Sequence, residues 1–237
     1  EKGAMIAGPP TRGVGTATAK PYAIDEASQA VVERLGALAG SDAPVLLTGE
    51  ASSGKGVFAR ILHDESPRAD GPLVVLRCAG LVDQSRIDEW LGPRGGVPAG
   101  ETCRLYEARG GTLLLDEVSE LPPDPQERLL DVLDTLEGDV RIVATTHLDL
   151  AARAARGAFS EALVEALKGE TVEIPALRER PDDIVPLAEL FAKQAGASDV
   201  RLSPGALARL RSHPWPGNVL ELRNAMERAV RLSGDGE

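Results

Sequence analysis

The stretch that most limits what this chain can fold into runs from Val45 to Gly56, VLLTGEASSGKG. A short apolar run, Val45-Leu46-Leu47-Thr48, feeds a glycine-bounded loop that ends on lysine. Val57-Phe58-Ala59-Arg60-Ile61-Leu62-His63 then reads as a helix. Strand, glycine-rich loop and helix in that order are the setting a phosphate-binding P-loop requires. The glycines let backbone N–H groups turn toward an anion, and Lys55 supplies a charge for the β- and γ-phosphates. Gly49, Glu50, Ala51, Ser52, Ser53, Gly54, Lys55, Gly56 and Val57 are therefore the expected phosphate cradle. The generic motif asks for Ser or Thr after the lysine, to reach Mg²⁺, and here that residue is Gly56. The plainer and less favoured alternative is a Gly/Ser turn that joins a strand to a helix and holds nothing.

Further along stands Gly110-Gly111-Thr112-Leu113-Leu114-Leu115-Asp116-Glu117, an apolar strand that ends in two acids. After a P-loop this is the Walker B arrangement. Asp116 can orient Mg²⁺ directly or through water, and Glu117 can polarise the attacking water for phosphoryl transfer. Alone, such a strand is more often one that simply meets solvent. Its place downstream of Lys55, with another strand candidate between, favours the functional pair.

Bulk properties narrow the class. A chain of 237 residues can bury a proper core, as one large domain or a domain with a small appendage. Hydrophobic residues at 43% and charged residues at 27% place it among soluble globular chains. A net charge of −11 argues against a broad electrostatic grip on nucleic acid, although a local basic patch stays compatible with it. Cys78 and Cys103 lie far apart without metal-ligand spacing, which reads as reduced thiols in a cytoplasmic setting. No apolar run reaches membrane-spanning length and no signal-peptide pattern opens the sequence. Glu1-Lys2-Gly3-Ala4, ahead of Met5, has the look of an appended remnant and is set aside.

Residues 1–20, rich in Gly, Ala, Thr and Pro, read as a flexible lead-in. Val31, Val32, Leu35 and Leu38 recur at helical spacing within 24–38, ahead of Gly40. Leu73-Val74-Val75-Leu76-Arg77 is a second strand candidate, 83–91 a helix, and 92–100 a loop by composition. Residues 126–136 form an amphipathic helix with Leu129, Leu130, Leu133 and Leu136 on one face, and 140–146 and 171–174 are further strands. Strands alternating with helices imply a parallel sheet covered on both faces. After Pro175 the pattern turns helical over 181–195, 204–212 and 218–232, with Ser203 as N-cap ahead of Pro204. The expected architecture is an α/β nucleotide-binding core over 21–175 and an α-helical lid over 176–237.

The stretches VLLTGEASSGKGVFARILHDESPR, GGTLLLDEVSELPPDPQERLLDVL, VEIPALRERPDDIVPLAELF and HPWPGNVLELRNAMERAV span nearly everything from Val45 to Val230. Together they resemble the AAA+ ATPase domain of bacterial enhancer-binding proteins, the activators of sigma-54 RNA polymerase. The resemblance implies a P-loop αβα core with a C-terminal helical lid, ATP or ADP with Mg²⁺ as ligand, ring assembly, and remodelling of closed polymerase. In that family the residue after the P-loop lysine is often Glu, which softens the departure at Gly56.

Other departures are more telling. Family members carry a GAFTGA loop that touches the sigma factor. The aligned stretch here is Gly96-Val97-Pro98-Ala99-Gly100-Glu101, and Thr102-Cys103-Arg104-Leu105 after it is several residues short of the family pattern. A pore hairpin normally separates the Walker B helix from the next strand. Here Leu133-Asp134 reaches Asp139-Val140-Arg141 almost at once. The two arginine-finger positions align with Ser160 and Ala166, with Arg153 and Arg156 upstream as weak substitutes. The lid's sensor arginine aligns with Leu220, the sensor Asn with His147, and the Asn that partners the Walker B glutamate with Arg77. An Arg77–Glu117 ion pair is expected from that last alignment. Each substitution alone reads as drift or misalignment; five together, with Lys55, Asp116 and Glu117 kept, favour a pocket that has lost turnover.

Trp215 and Pro216 read as packing residues, Arg178 and Arg180 as structural ion-pair formers, and His63 and His213 as helix-end residues rather than metal ligands. Three functions compete: a degenerate nucleotide-binding module that signals to protein partners of a transcription system, a working ATPase with displaced catalytic residues, and a scaffold with no ligand. The first is favoured, as a monomer or dimer rather than a ring. Family proteins add a helix-turn-helix domain after such a segment and a sensory domain before it, so direct nucleic-acid binding is not expected of this segment itself.

Overall fold

The computed structural model describes residues 23–93, 103–136, 138–197 and 200–234. In chain order the elements are α1 (Glu26–Leu38), β1 (Val45–Thr48), α2 (Lys55–Asp64), β2 (Leu73–Arg77), α3 (Gln84–Leu91), β3 (Thr112–Asp116), α4 (Pro123–Thr135), β4 (Arg141–Thr146), α5 (Leu150–Ala154), α6 (Glu161–Ala166), β5 (Glu170–Glu173), α7 (Pro181–Gln194), α8 (Pro204–Ser212) and α9 (Asn218–Gly234). The five strands form one parallel sheet in the order β2-β3-β4-β1-β5.

The alternation of side chains along each strand divides the core in two. Leu113 and Leu115 of β3 join Leu76, Ala144 and the inner faces of α3, α4 and α6 on one side. Leu114 joins Val45, Leu47, Val143 and the inner faces of α1 and α2 on the other. Both faces are thus covered, as a parallel sheet built from helical crossovers requires. The inner face of α4 is Leu129, Val132 and Leu133, followed by Leu136; Leu130 is only half-buried, so Val132 takes the place expected of it. The helix also starts earlier than its sequence suggests. Prolines at 122, 123 and 125 read as loop, but the first turn of a helix has no use for their missing N–H groups.

The C-terminus of α1 shows how one buried cation serves the fold. Arg141, 1% exposed at the head of β4, donates from Nη1 to the Ala39 carbonyl and from Nη2 to the Leu38 carbonyl, each at 2.8 Å. Those carbonyls have no intrahelical partner, and they lie at the negative end of the helix dipole. Cys78 and Cys103 are free thiols, both buried.

Residues 177–234 bury a separate apolar cluster in which Leu177, Ile184, Leu187, Phe191, Leu210, Trp215, Leu222 and Met226 meet. The Trp215 indole N–H donates to the Leu210 carbonyl at 2.9 Å, so this residue packs inside the lid. The lid is tied to α1 by reciprocal caps. Asp183 accepts from the backbone N–H groups of Ile24 (2.7 Å) and Asp25 (2.9 Å) and from the Ser28 hydroxyl, while Asp25 accepts from the Asp182 N–H at 3.1 Å.

Candidate nucleotide-binding site

The loop between β1 and α2 holds its shape through residues of positive φ: Gly49 at 143°, Ser52 at 59° and Gly54 at 100°. Gly49 has a second reason to lack a side chain, since a Cβ there would stand 2.5 Å from the Ile174 carbonyl oxygen. Gly54 is the N-cap of α2 and contributes no side-chain cap, which leaves the first N–H groups of that helix to an outside acceptor. The Ser53 hydroxyl is buried without a hydrogen-bond partner. Lys55 is 4% exposed. Its ammonium donates to the carbonyls of Gly49 (3.0 Å) and Glu50 (2.9 Å) and pairs with Glu117 Oε1 at 2.8 Å.

Register brings the acids to this point. β3 and β1 both lie against β4, with Leu114 and Val45 each opposite Val143. Parallel strands then deliver the C-terminal ends of β3 and β1 to the same rim, where ligands of open α/β sheets bind. The Thr145 hydroxyl, at the end of β4, donates to Asp116 Oδ1 at 3.0 Å and accepts from the Glu117 N–H at 2.8 Å. Glu117 itself sits at φ 54°, in the left-handed region. Its Oε2 meets both the His147 backbone N–H (3.1 Å) and His147 Nδ1 (2.6 Å). Burial opposes ionisation of Glu117, yet the hydrogen bonds of His147 and Lys55 outweigh it and hold its carboxyl below the ordinary value.

That geometry corrects one expectation. Among the described residues no ion pair joins Arg77 to Glu117, because Lys55 and His147 occupy both carboxylate oxygens and Arg77 is exposed at the end of β2. Alignment alone could not show that the side chain after β4 would reach Glu117 first.

A cavity of about 590 Å³ opens between the P-loop, the Asp116–Glu117 rim and the lid. Ser52, Ser53, Gly54, Lys55, Gly56 and Val57 border it on the core side, and Leu187, Phe191, Val219, Leu220 and Arg223 on the lid side. Gly49, Glu50 and Ala51 begin the loop but do not border this space. Glu50 turns instead toward the lid, where Arg178 grips it with both terminal nitrogens (2.9 and 2.6 Å) and Asn218 Nδ2 donates at 3.0 Å. Hydrogen bonding from Arg178, then from Asn218, lowers the Glu50 carboxyl to about 2.

Two residues of the cavity were not evident as such from sequence. Arg180, expected to form a structural ion pair, does face Asp183 at 3.7 Å, but it also donates to the Ser53 carbonyl and borders the cavity. Arg223 lies over the Phe191 ring, its guanidinium carbon 5.7 Å from the ring centroid and its Nε 3.4 Å from Glu227 Oε1.

 No spacing rule singles out either arginine; only the packing of the lid brings them to the cavity.

The residues that the resemblance sets against family arginines are placed as follows. Ser160 is the N-cap of α6, accepting from the Leu163 N–H at 3.3 Å, and Ala166 ends that helix. Leu220 is 51% exposed. α4 ends at Thr135 and β4 begins at Arg141. The stretch aligned with the GAFTGA loop, from Gly96 to Glu101, lies outside the described residues. Among the described residues, no helix is long and apolar enough to cross a membrane.

A five-stranded parallel sheet, a P-loop on its central rim, two acids facing the P-loop lysine and a helical lid across the cleft define an AAA+ nucleotide-binding module. Residues 22–173 match the family model described as the Sigma-54 interaction domain, and residues 178–237 match the AAA+ ATPase lid domain. The chain belongs to the sigma-54 interaction domain family.

Relatives agree. The chain is 39% identical to the transcriptional regulatory protein FlbD of Caulobacter vibrioides, across 92% of this chain and 52% of that protein. It is 36% identical to the DNA-binding transcriptional regulator NtrC of Rhizobium meliloti, across 87% of this chain and 46% of that protein. Among solved structures, NtrX from Brucella abortus in complex with ADP superposes with a TM-score of 0.79 at 33% identity, across 90% of this chain and 52% of that one. The chain therefore spans about half the length of these relatives.

Proposed function

We propose that this segment binds ATP or ADP with Mg²⁺ and signals by nucleotide occupancy to protein partners of a cytoplasmic transcription-regulatory system, without remodelling sigma-54 polymerase. What supports the reading is the buried Lys55 at the P-loop together with the uncharged residues Ser160, Ala166 and Leu220 at positions where the resemblance expects arginine. Lys55, the uncapped start of α2 and the unpartnered Ser53 hydroxyl suit a phosphate chain. Asp116 is the residue that would hold Mg²⁺, together with water and the phosphates of the ligand, in the manner usual for that ion. Ser160, Ala166 and Leu220 offer no cation at the three aligned arginine positions, and loss of one such arginine typically costs about 10³–10⁵ in rate.

A second reading, a working ATPase, draws support from the retained Asp116 and Glu117 and from relatives that are described as transcriptional regulators. Calorimetric titration with ADP and ATP, run beside a phosphate-release assay, separates the two. The expected result is binding that Lys55→Ala abolishes, with no phosphate release above background at high protein concentration. Turnover that Glu117→Gln abolishes would favour the second reading, and no binding at all would leave only a scaffold.

A further inference from the structure

The lysine of the phosphate cradle is fully engaged. An ammonium has three N–H donors. Those of Lys55 meet three acceptors within 3.0 Å: the Gly49 carbonyl, the Glu50 carbonyl and Glu117 Oε1. Glu117 is in turn held at its backbone and at its second oxygen. Its backbone N–H is held by Thr145, and its second oxygen takes the N–H and Nδ1 of His147, at 2.8, 3.1 and 2.6 Å respectively. The far ring nitrogen of His147 lies 3.7 Å from Glu120, so the imidazole is itself positioned by two acids.

Glu117 thus occupies, as an internal anion, the face of Lys55 that a terminal phosphate needs. In a P-loop the backbone N–H groups cradle the α- and β-phosphates, and the lysine reaches toward the β/γ end. A diphosphate, whose β-phosphate shares Lys55 with the loop N–H groups, loosens only the Lys55 contact of Glu117 and leaves its His147 side in place. A triphosphate must displace the carboxylate from Lys55, break part of the His147 contact, and bring further negative charge beside Asp116 and Glu117. Of the other cations that border the cavity, Arg180 donates to the Ser53 carbonyl and faces Asp183 while its Nε has no partner, and Arg223 meets Glu227 through Nε in an exposed pair.

We infer that Glu117, positioned by His147, sets the specificity of this site so that it takes a nucleoside diphosphate in preference to the triphosphate. This deepens the nucleotide-binding reading above and rests on it. Replacing one charged hydrogen bond is worth roughly tenfold in an equilibrium, which sets the scale of the effect.

The test is calorimetric titration of the full chain with Mg·ADP and with a Mg·ATP analogue that resists hydrolysis, with circular dichroism as the check on folding. The wild type should bind ADP about tenfold more tightly than the triphosphate. Glu117→Gln should bring the ratio of the two affinities toward one. His147→Ala, which releases Glu117, should shift the ratio the same way, and His147→Asn, which keeps an amide donor, should restore most of it. If Glu117→Gln does not fold, the two His147 variants carry the comparison. A wild type that binds both nucleotides equally, or the triphosphate more tightly, overturns the inference while leaving nucleotide binding intact. A ratio unmoved in the variants overturns it too. Failure of the folded wild type to bind either nucleotide overturns the nucleotide-binding reading and this inference with it.

Discussion

Glu50 carries the clearest single-residue consequence. Its place in the P-loop suggested a phosphate-facing role, yet the side chain leaves the cavity and pairs with Arg178 and Asn218 of the lid. Its carboxyl falls from 4.5 to about 2 in the folded protein. A carboxyl whose folded value is depressed binds fewer protons folded than unfolded between the two values. Its stabilising contribution is therefore complete above pH 4.5 and is lost as the pH falls toward 2. Acid unfolding followed by circular dichroism should show the loss in that window, and Glu50→Gln should flatten it. Because the Glu50 and Arg178 side chains are more than 40% exposed, salt should weaken the effect. The motif identified the loop but said nothing about where each of its side chains would point.

At the scale of elements, the junction between core and lid hangs on the start of α9. Asn218 is fully buried and its amide serves three partners: it accepts from the Leu177 N–H at 2.8 Å and donates to Glu50 at 3.0 Å and to the Ala51 carbonyl at 3.1 Å. The Val219 N–H adds a bond to the Ser52 carbonyl at 3.1 Å. Asn218 also sits at φ 50°, where Asn is better tolerated than most residues. Asn218→Ala strands these polar groups and should cost about 1–3 kcal/mol. Thermal unfolding would measure that cost, and hydrogen exchange should rise at Leu177 and Val219. Regular elements were largely legible, since α8 spans the very residues its Ser203–Pro204 signal marks. The short α5 and α6 were not, because helices of five and six residues are too short to repeat the apolar period.

For the molecule as a whole, the proposed loss of interface charge at Ser160 and Ala166 predicts a small assembly. Light scattering of the purified chain should give a mass near 24.9 kDa or twice that. A ring-sized species, with or without nucleotide, would count against the proposed loss of assembly.

The sequence by itself determined the α/β class, the order of strands and longer helices, the glycine-rich loop after β1 and the acidic end of β3, because each follows from local periodicity or from a motif with fixed spacing. Only the tertiary structure decided the partners of the charged groups. Arg77 was aligned to meet Glu117, and instead Lys55 and His147 hold it. Glu50 belongs by sequence to the expected phosphate loop, and the packing of the lid decides that its side chain pairs with Arg178 and Asn218. Such pairings join residues 30 to 168 positions apart, and which cation reaches a given carboxylate first is settled by how the sheet and lid pack.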